Sequence, residues 1–312
     1  MGIPSEYKKL LENQQYEFIG EHSAVKICTW TKKSIRDEGV CYKQKFYGIE
    51  SHRCCQLSLT VNYCDQDCVY CWRNKLAIPF DTLDNPEKLA ENCITAQRKL
   101  LTGFGGNEKA NKKKLEEAQN PTQFAISLTG ETLYYPKLSE FIKILKDQSH
   151  STFVVSNGQL PEVLEKLELP TQIYISLDAP NEALHKQICN PTNKDSWQRL
   201  TKSLEILNKI KNKTRTALRL TIIKGMNDIE PENYVKLFEK ADPHFIEVKA
   251  YMFVGASQNR LSIDKMPRHP EVKTFAEKLC EISDYKIIDE QEESRVLLLM
   301  KDNPEMRKIE WQ

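Results

Sequence analysis

Three cysteines lie close together in one short stretch and could hold an inorganic cofactor. They are Cys64, Cys68 and Cys71, spaced CxxxCxxC. A 4Fe-4S cluster has four irons, each normally bound by a cysteine sulfur, so three local cysteines leave one iron without a protein ligand. The alternatives are a zinc site or unpaired buried thiols, but zinc prefers CxxC pairs and four tetrahedral ligands. The spacing therefore favours an iron-sulfur cluster.

An iron without a protein ligand can take part in radical chemistry. It can bind the amino and carboxylate groups of S-adenosylmethionine, and an electron from the cluster then breaks the C–S bond to give a 5′-deoxyadenosyl radical. The loop resembles that of the radical S-adenosylmethionine superfamily, in which an aromatic residue usually precedes the third cysteine. Tyr70 occupies that place and is predicted to contact the cofactor.

A second cysteine series precedes this loop. Cys28, Cys41 and Cys54 are separated by 13 and 13 residues. Three thiolates far apart in sequence could meet at a second cluster, but three cysteines in such a segment can also be ordinary packing. Spacing alone leaves both interpretations open.

Seven segments follow one another across about residues 15 to 300, and they are AVKIC (24–28), CYKQKFYGIE (41–50), SHRC (51–54), YCDQDCVYCWR (63–73), SNG (156–158), YISLDAP (174–180) and HFIEVKAYMFVG (244–255). In sequence and in order they resemble one family, the tRNA 4-demethylwyosine synthases. In that family the N-terminal cysteines carry a second 4Fe-4S cluster, which the resemblance assigns to Cys28, Cys41 and Cys54. Cys55 is adjacent to the last of these and could replace it.

The resemblance also implies a reaction. The substrate would be phenylalanine tRNA with 1-methylguanosine just 3′ of the anticodon, and pyruvate would be the two-carbon donor. A radical on the N-methyl group would attack the pyruvate ketone, and decarboxylation and ring closure would give 4-demethylwyosine. The family's pyruvate-binding lysine lies two places after the middle cysteine, at Lys43, with Lys45 as a second candidate. A lysine amine can form a Schiff base with a ketone, although both could equally be surface lysines.

The elements that position these residues alternate along the chain. Strands are predicted at 57–61, 124–128, 153–156, 173–177, 218–223 and 245–251, and helices at 85–101, 138–146, 161–167, 197–211 and 232–240. Such alternation indicates an α/β fold with a parallel sheet. By resemblance it is a partial (β/α)6 barrel spanning 56–255. An N-terminal cysteine-rich extension (1–55) and a C-terminal α/β extension (256–312) complete the predicted division.

Polar residues follow three of the predicted strands. Because chemistry in parallel α/β sheets collects at the carboxyl ends of strands, these residues are predicted to contact the cofactor: Gly130, Glu131, Asn157, Ser176 and Asp178. The alternative is that these residues only form turns, since Gly, Asn, Asp and Ser are common between structural elements. By resemblance, Gly130 and Glu131 receive the methionyl amino group, but Thr132 stands where the family's segment usually has proline.

Composition limits the remaining possibilities. Ten cysteines without an apparent signal segment predict a reducing, cytoplasmic location. A net charge of +1 does not by itself indicate a nucleic-acid partner. We expect a monomer without membrane spans that depends on an external electron donor such as a flavodoxin or ferredoxin. A radical enzyme acting on a peptide or small molecule, and a non-enzymatic metal protein, are the competing hypotheses.

Overall fold

The computed structural model describes residues 3–74, 76–78, 82–301 and 307–309. The helices in these residues are α1 Ser5–Asn13, α2 Thr29–Ile35, α3 Tyr42–Tyr47, α4 Pro86–Leu101, α5 Lys112–Ala118, α6 Leu138–Asp147, α7 Pro161–Leu164, α8 Glu182–Cys189, α9 Ser196–Ile210, α10 Pro231–Ala241 and α11 His269–Glu281. The strands are β1 Glu17–Phe18, β2 Ala24–Val25, β3 Cys54–Ser58, β4 Gln123–Ile126, β5 Ser151–Ser156, β6 Gln172–Ser176, β7 Arg215–Ile222, β8 Phe245–Ala250, β9 Lys286–Gln291 and β10 Val296–Met300.

All ten strands form one open sheet in the order β1-β2-β3-β4-β5-β6-β7-β8-β10-β9. Neighbours from β3 to β8 pair in parallel, whereas the strands added at either edge pair antiparallel. The six predicted parallel strands and the partial barrel are confirmed. The sheet runs through all three predicted segments, and the boundary at residue 55 falls inside β3.

The two faces of the sheet have different roles because side chains alternate along a strand. Val154, Ile173, Leu218 and Ile246 point outward into the main core, beneath the helices. Their neighbours point inward and pack with aromatic side chains of α3; these neighbours are Phe153, Tyr174, Ala217 and Phe245. The short helix α3 therefore fills one part of the barrel interior.

Further along three of these strands, the inward positions become polar. Two residues after the aromatic or small residue come Ser176 on β6, Arg219 on β7 and Glu247 on β8, which are paired across the ladder. Ser176 and Arg219 keep part of their surface accessible, although the strands around them are buried. The inward polar positions thus line a chamber between α3 and the carboxyl ends of the strands.

Helix boundaries follow recognisable capping chemistry. The predicted helix near residue 85 begins as expected, since the Asn85 side chain accepts a hydrogen bond from Lys88 N at 2.9 Å and Pro86 occupies the first turn. Cys93 on α4 is completely buried, in agreement with a core position. No helix in the described ranges is long and apolar enough to cross a membrane.

Candidate active site

The loop carrying the first cysteine triad follows β3 and is held against the end of α8. Asp67 N donates to Cys189 O at 3.0 Å, and Val69 N donates to Ile188 O at 2.8 Å. Within the loop, Cys71 N donates to Cys68 O at 2.9 Å. These backbone bonds fix the loop at the carboxyl end of the sheet, where the strand-end rule places chemistry.

The environment of the thiols suits ligation by a metal. Burial and the nearby Cys68 thiol raise the pKa of Cys64, and contact with Cys189 together with burial raises that of Cys68. Without metal these thiols stay protonated at neutral pH, so metal binding has to release their protons. The donor set is therefore soft sulfur in a partly dry loop, which suits iron or zinc.

The distances between the thiols bear on whether iron or zinc fits the site. Sulfur ligands of one tetrahedral zinc, each about 2.3 Å from the metal, lie about 4 Å apart. In the part of the chain that the structure describes, the one group of three or more His, Cys, Asp or Glu residues within 4.8 Å of one another is Glu50, His52 and Glu117. Neither cysteine triad of the described residues forms such a compact group. A 4Fe-4S cluster does not require one, because it distributes its cysteines over separate irons.

Two of the predicted cofactor residues build the rim beside this loop. Glu131 is 3% exposed, and its carboxylate accepts from Asn157 N at 2.8 Å and Leu133 N at 3.1 Å. Burial raises the pKa of Glu131 to about 7. The Asn157 amide donates to Asp65 Oδ1 at 2.6 Å and lies 3.9 Å from Cys64 Sγ. Asn157 is therefore a direct neighbour of the first cysteine.

The missing proline after Glu131 is explained by local structure. Residues Thr132–Tyr134 form a 3-10 helix that the Glu131 side chain caps. Gly130 has φ of 71°, and a Cβ there would lie 1.6 Å from Thr60 O. Only glycine permits this close approach of the two backbone segments. The turn is thus rebuilt without proline, and both Glu131 oxygens already have partners in the protein.

Tyr70 and Asp178, both predicted to contact the cofactor, contact each other in the structure. Tyr70 Oη donates to Asp178 Oδ2 at 2.5 Å, and Thr221 N donates to Asp178 Oδ1 at 2.8 Å. Asp178 is only 2% exposed. Its carboxylate therefore fixes Tyr70 from within the barrel, while Ser176, one step further inside on the same strand face, stays partly accessible.

The second triad also converges, although its cysteines come from separate elements. Cys28 is the N-cap of α2, Cys41 the N-cap of α3, and Cys54 the first residue of β3. Burial and the neighbouring Cys28 raise the pKa of Cys41 to about 12, and burial, Cys28 and Cys41 raise that of Cys54. Cys55 points to the opposite face, into the outer core, where it meets Cys93. The structure therefore places Cys54, and not Cys55, beside Cys28 and Cys41.

The two candidate lysines lie in different surroundings. Lys43 Nζ lies 4.7 Å from the ring centroids of both Phe153 and Tyr174. Among the described residues its amine has no hydrogen-bond or ion-pair partner, and burial lowers its pKa. Lys45 is exposed, pairs with Asp289 at 3.0 Å and donates to Glu290 O. The structure brings Lys43, and not Lys45, to the chamber.

Three charged residues in the chamber were missed by the sequence reasoning as site residues. Glu247 is fully buried and accepts from Tyr42 Oη at 3.0 Å and Tyr47 Oη at 2.8 Å. Lys249 donates to Ser294 O at 2.9 Å, and burial lowers its pKa to about 8. Arg219 stands beside Glu247 in the ladder. The alternation of charged and apolar residues in these strands is the signal that could have revealed them.

Comparison with known proteins decides the family. Residues 58–238 match the radical SAM superfamily, and residues 240–301 match a family described as wyosine base formation. The chain is 45% identical to the S-adenosyl-L-methionine-dependent tRNA 4-demethylwyosine synthase of Pyrococcus horikoshii, over 96% of this chain and 90% of that protein. The chain belongs to the tRNA 4-demethylwyosine synthase family.

Solved structures agree with the assignment. A structure of TYW1 with a lysine-pyruvate adduct bound is 42% identical and has a TM-score of 0.89, covering 99% of both chains. A crystal structure of archaeal TYW1 is 38% identical with a TM-score of 0.81, covering 98% of this chain and 100% of that one. The chain is accordingly a radical S-adenosylmethionine enzyme, and membership implies a 4Fe-4S cluster. The family predicted from the sequence motifs is confirmed.

The two matched regions of this 4-demethylwyosine synthase family member meet at the cysteine loop. Arg260, from the wyosine region, pairs with Asp67 at 3.0 Å, donates to Val69 O at 3.3 Å and also donates to Cys71 O. Its guanidinium holds the loop of the first triad, and nothing in the sequence links residues so far apart.

Proposed function

We propose that this protein converts 1-methylguanosine, located just 3′ of the anticodon of phenylalanine tRNA, into 4-demethylwyosine with pyruvate as the two-carbon donor. The observation that carries the proposal is the Lys43 amine. It faces the chamber without a hydrogen-bond partner among the described residues. The solved relative with a lysine-pyruvate adduct supports the same chemistry for this chain.

Lys43 would bind pyruvate covalently. The neutral amine attacks the ketone carbon, and water leaves to give a Schiff base. Only the unprotonated amine is a nucleophile, and the burial that lowers the Lys43 pKa favours that form. The aromatic rings of Phe153 and Tyr174 beneath the amine supply an apolar floor.

The charge of the chamber suits a small carboxylate. Arg219 and Lys249 lie on the same inner face as Glu247, whose charge is already engaged by two tyrosine hydroxyls. With the Lys43 amine neutral, Arg219 and Lys249 face the carboxylates of Glu247 and Asp178, and both carboxylates already accept hydrogen bonds from tyrosine hydroxyls. Arg219 and Lys249 would therefore attract the carboxylate of a keto acid.

Two 4Fe-4S clusters complete the proposal, one on each triad. Cys64, Cys68 and Cys71 would hold the first cluster, which would supply a 5′-deoxyadenosyl radical from S-adenosylmethionine. Cys28, Cys41 and Cys54 would hold the second cluster. Gly130, Glu131, Asn157 and Ser176 would surround S-adenosylmethionine, and Asp178 would position Tyr70 through their hydrogen bond.

The remaining partners follow from the chemistry. Reduction of the cluster requires an electron donor, for which we propose a separate flavodoxin or ferredoxin, and oxygen-sensitive clusters suit the cytoplasm. We propose that the protein works there as a monomer. The target base stacks within the anticodon loop, so it has to turn out of the loop to reach the chamber.

Mass spectrometry of tRNA nucleosides tests the proposal. Reconstituted protein is incubated anaerobically with reductant, S-adenosylmethionine, pyruvate and methylated tRNA. We expect a nucleoside with the mass of 4-demethylwyosine, shifted when the pyruvate carbons are labelled. Reactions without pyruvate or with unmethylated tRNA are the controls. Product that forms without pyruvate would contradict the proposed donor, and modification of a peptide instead of tRNA would favour the competing radical enzyme.

A further inference from the structure

Trp72 is placed unusually for a tryptophan. It is 37% exposed and is the one aromatic residue among the large hydrophobic side chains exposed in the described ranges, the others being Leu83, Ile229, Val254, Ile263 and Ile282. It directly follows Cys71, so its backbone continues the loop of the first cysteine triad. No step of the proposed reaction inside the chamber requires this ring.

The backbone of Trp72 is fixed from the wyosine region. Ala256 N donates to Trp72 O at 2.8 Å. Gly255 has φ of 59°, and a Cβ there would lie 2.2 Å from Trp72 O, so this contact depends on glycine. The exposed indole is therefore presented by anchored backbone, which lowers the entropy that a partner must remove on binding.

Positive charge surrounds the ring. The Arg73 guanidinium carbon lies 4.4 Å from the Trp72 ring centroid, and Lys26 Nζ lies 5.8 Å from it. The groove beside the ring contains amide side chains but no acid; it is lined by Gln14, Lys26, Trp72, Asn74, Gly255, Ala256 and Asn259. An aromatic face, flanking cations and amides are the groups that bind unpaired nucleotides, since bases stack, phosphates pair with cations and amides bond base edges.

We propose that Trp72 stacks on an unpaired anticodon-loop nucleotide next to the modified guanosine, with Lys26 contacting the RNA backbone. This inference rests on the proposed tRNA substrate and adds the place on the protein where the RNA is bound. A nucleotide stacked on Trp72 is tethered beside Cys71. The neighbouring target base is thereby directed toward the chamber.

Equilibrium binding of RNA tests the stacking contact. Reconstituted holoenzyme is titrated anaerobically into a fluorescein-labelled anticodon stem-loop containing 1-methylguanosine, and anisotropy is measured. We expect Trp72→Ala to weaken binding about 5- to 150-fold, the range for loss of one stacked base. Trp72→Phe keeps a stacking face and should recover most of the affinity. Ile282→Ala, which removes an exposed side chain at the end of α11, is the matched control and should bind like the unsubstituted protein.

Salt dependence tests the phosphate contact. Each phosphate contact to single-stranded nucleic acid contributes about 0.7 to the slope of log affinity against log salt. Lys26→Ala should reduce the slope by that amount, whereas Trp72→Ala should leave it unchanged. Iron content and the unfolding midpoint, measured for each variant, show whether the fold is retained.

The outcomes separate this inference from the proposed function. If the unsubstituted protein forms product and Trp72→Ala binds RNA equally well, the stacking inference alone is overturned. Equal weakening by Trp72→Phe and Trp72→Ala would also overturn it, because a merely structural role would then suffice. If RNA binding depends on Trp72 but no 4-demethylwyosine forms, the proposed function fails and the contact stands. Unchanged RNA affinity with a raised KM for reduced flavodoxin would assign the groove to the electron donor instead.

Discussion

The two cysteine triads differ in how the chain assembles them. Cys64, Cys68 and Cys71 come from one loop at the carboxyl ends of the strands, held by α8 and Arg260. Cys28 and Cys41 cap two short helices, and Cys54 begins a strand. The first triad is therefore a local motif fixed by its neighbours, whereas the second exists only when the N-terminal segment folds onto the inner face of the sheet.

This difference suggests separate tasks. The first triad adjoins the rim residues proposed to hold S-adenosylmethionine, and the second adjoins Lys43, proposed to hold pyruvate. If the tasks are separable, variants of one triad should spare the work of the other. The following predictions test that separation, from the largest expected effect to the smallest.

The largest contrast is between the triads themselves. Cys68→Ser should abolish formation of both 5′-deoxyadenosine and the tRNA product, because the radical source needs all three local thiolates. Cys41→Ser should abolish the tRNA product but leave 5′-deoxyadenosine formation measurable by liquid chromatography. Each variant should lose about four irons per chain relative to the unsubstituted protein. Loss of 5′-deoxyadenosine in Cys41→Ser would mean that the triads do not act independently.

The next contrast is between two lysines of α3. Lys43→Ala should retain the iron content of both sites and abolish product, since the Schiff base cannot form. Lys45→Ala, which removes an exposed side chain that pairs with Asp289 and donates to Glu290 O, should keep product formation and change the free energy of unfolding by only about 1 kcal/mol. Trapping with borohydride and labelled pyruvate followed by peptide mapping locates the adduct. Full product from Lys43→Ala would remove lysine from the mechanism.

A third contrast concerns the backbone beneath the first triad. Gly130→Ala should destabilise the protein by about 2–5 kcal/mol, because the new methyl would lie 1.6 Å from Thr60 O in a left-handed backbone. Gly103→Ala is the control, since nothing lies within 4 Å of its Cβ position, and it should be neutral or stabilising by up to about 1 kcal/mol. Anaerobic denaturant unfolding followed by circular dichroism measures both. Equal stability of the two variants would contradict the tight rim.

The same comparison explains what the sequence could reveal. The first triad can be recognised from sequence because its close spacing alone brings the three cysteines together. The parallel strands can be recognised because their apolar runs alternate with helices. The elements β1, β2, α2 and α3 are too short for any periodic signal, and they build the second triad's surroundings. That site was therefore predicted through family resemblance, whereas its spacing alone left the question open.

Contacts between segments far apart in the chain could not be predicted from local sequence patterns. Arg260 lies far along the chain from the loop that it holds, and no pattern pairs it with Asp67. Arg219 and Glu247 did leave a signal, since each is a charged residue between two buried apolar neighbours in its strand. A strand that is buried on both faces needs no charge, so such residues indicate an inner polar surface.

The smallest expected effect distinguishes two adjacent cysteines. Because neighbouring residues of a strand face opposite sides, Cys54 points to the second triad and Cys55 to the outer core beside Cys93. Cys55→Ala should keep the full iron content and lower the free energy of unfolding by only about 1 kcal/mol, as for a small loss of core volume. Cys54→Ala should lose the second cluster's iron and the tRNA product while 5′-deoxyadenosine still forms. Iron assays and absorption spectra of both reconstituted variants check this; iron loss in Cys55→Ala and not in Cys54→Ala would reverse the assigned ligand and place the triad on the wrong face of β3.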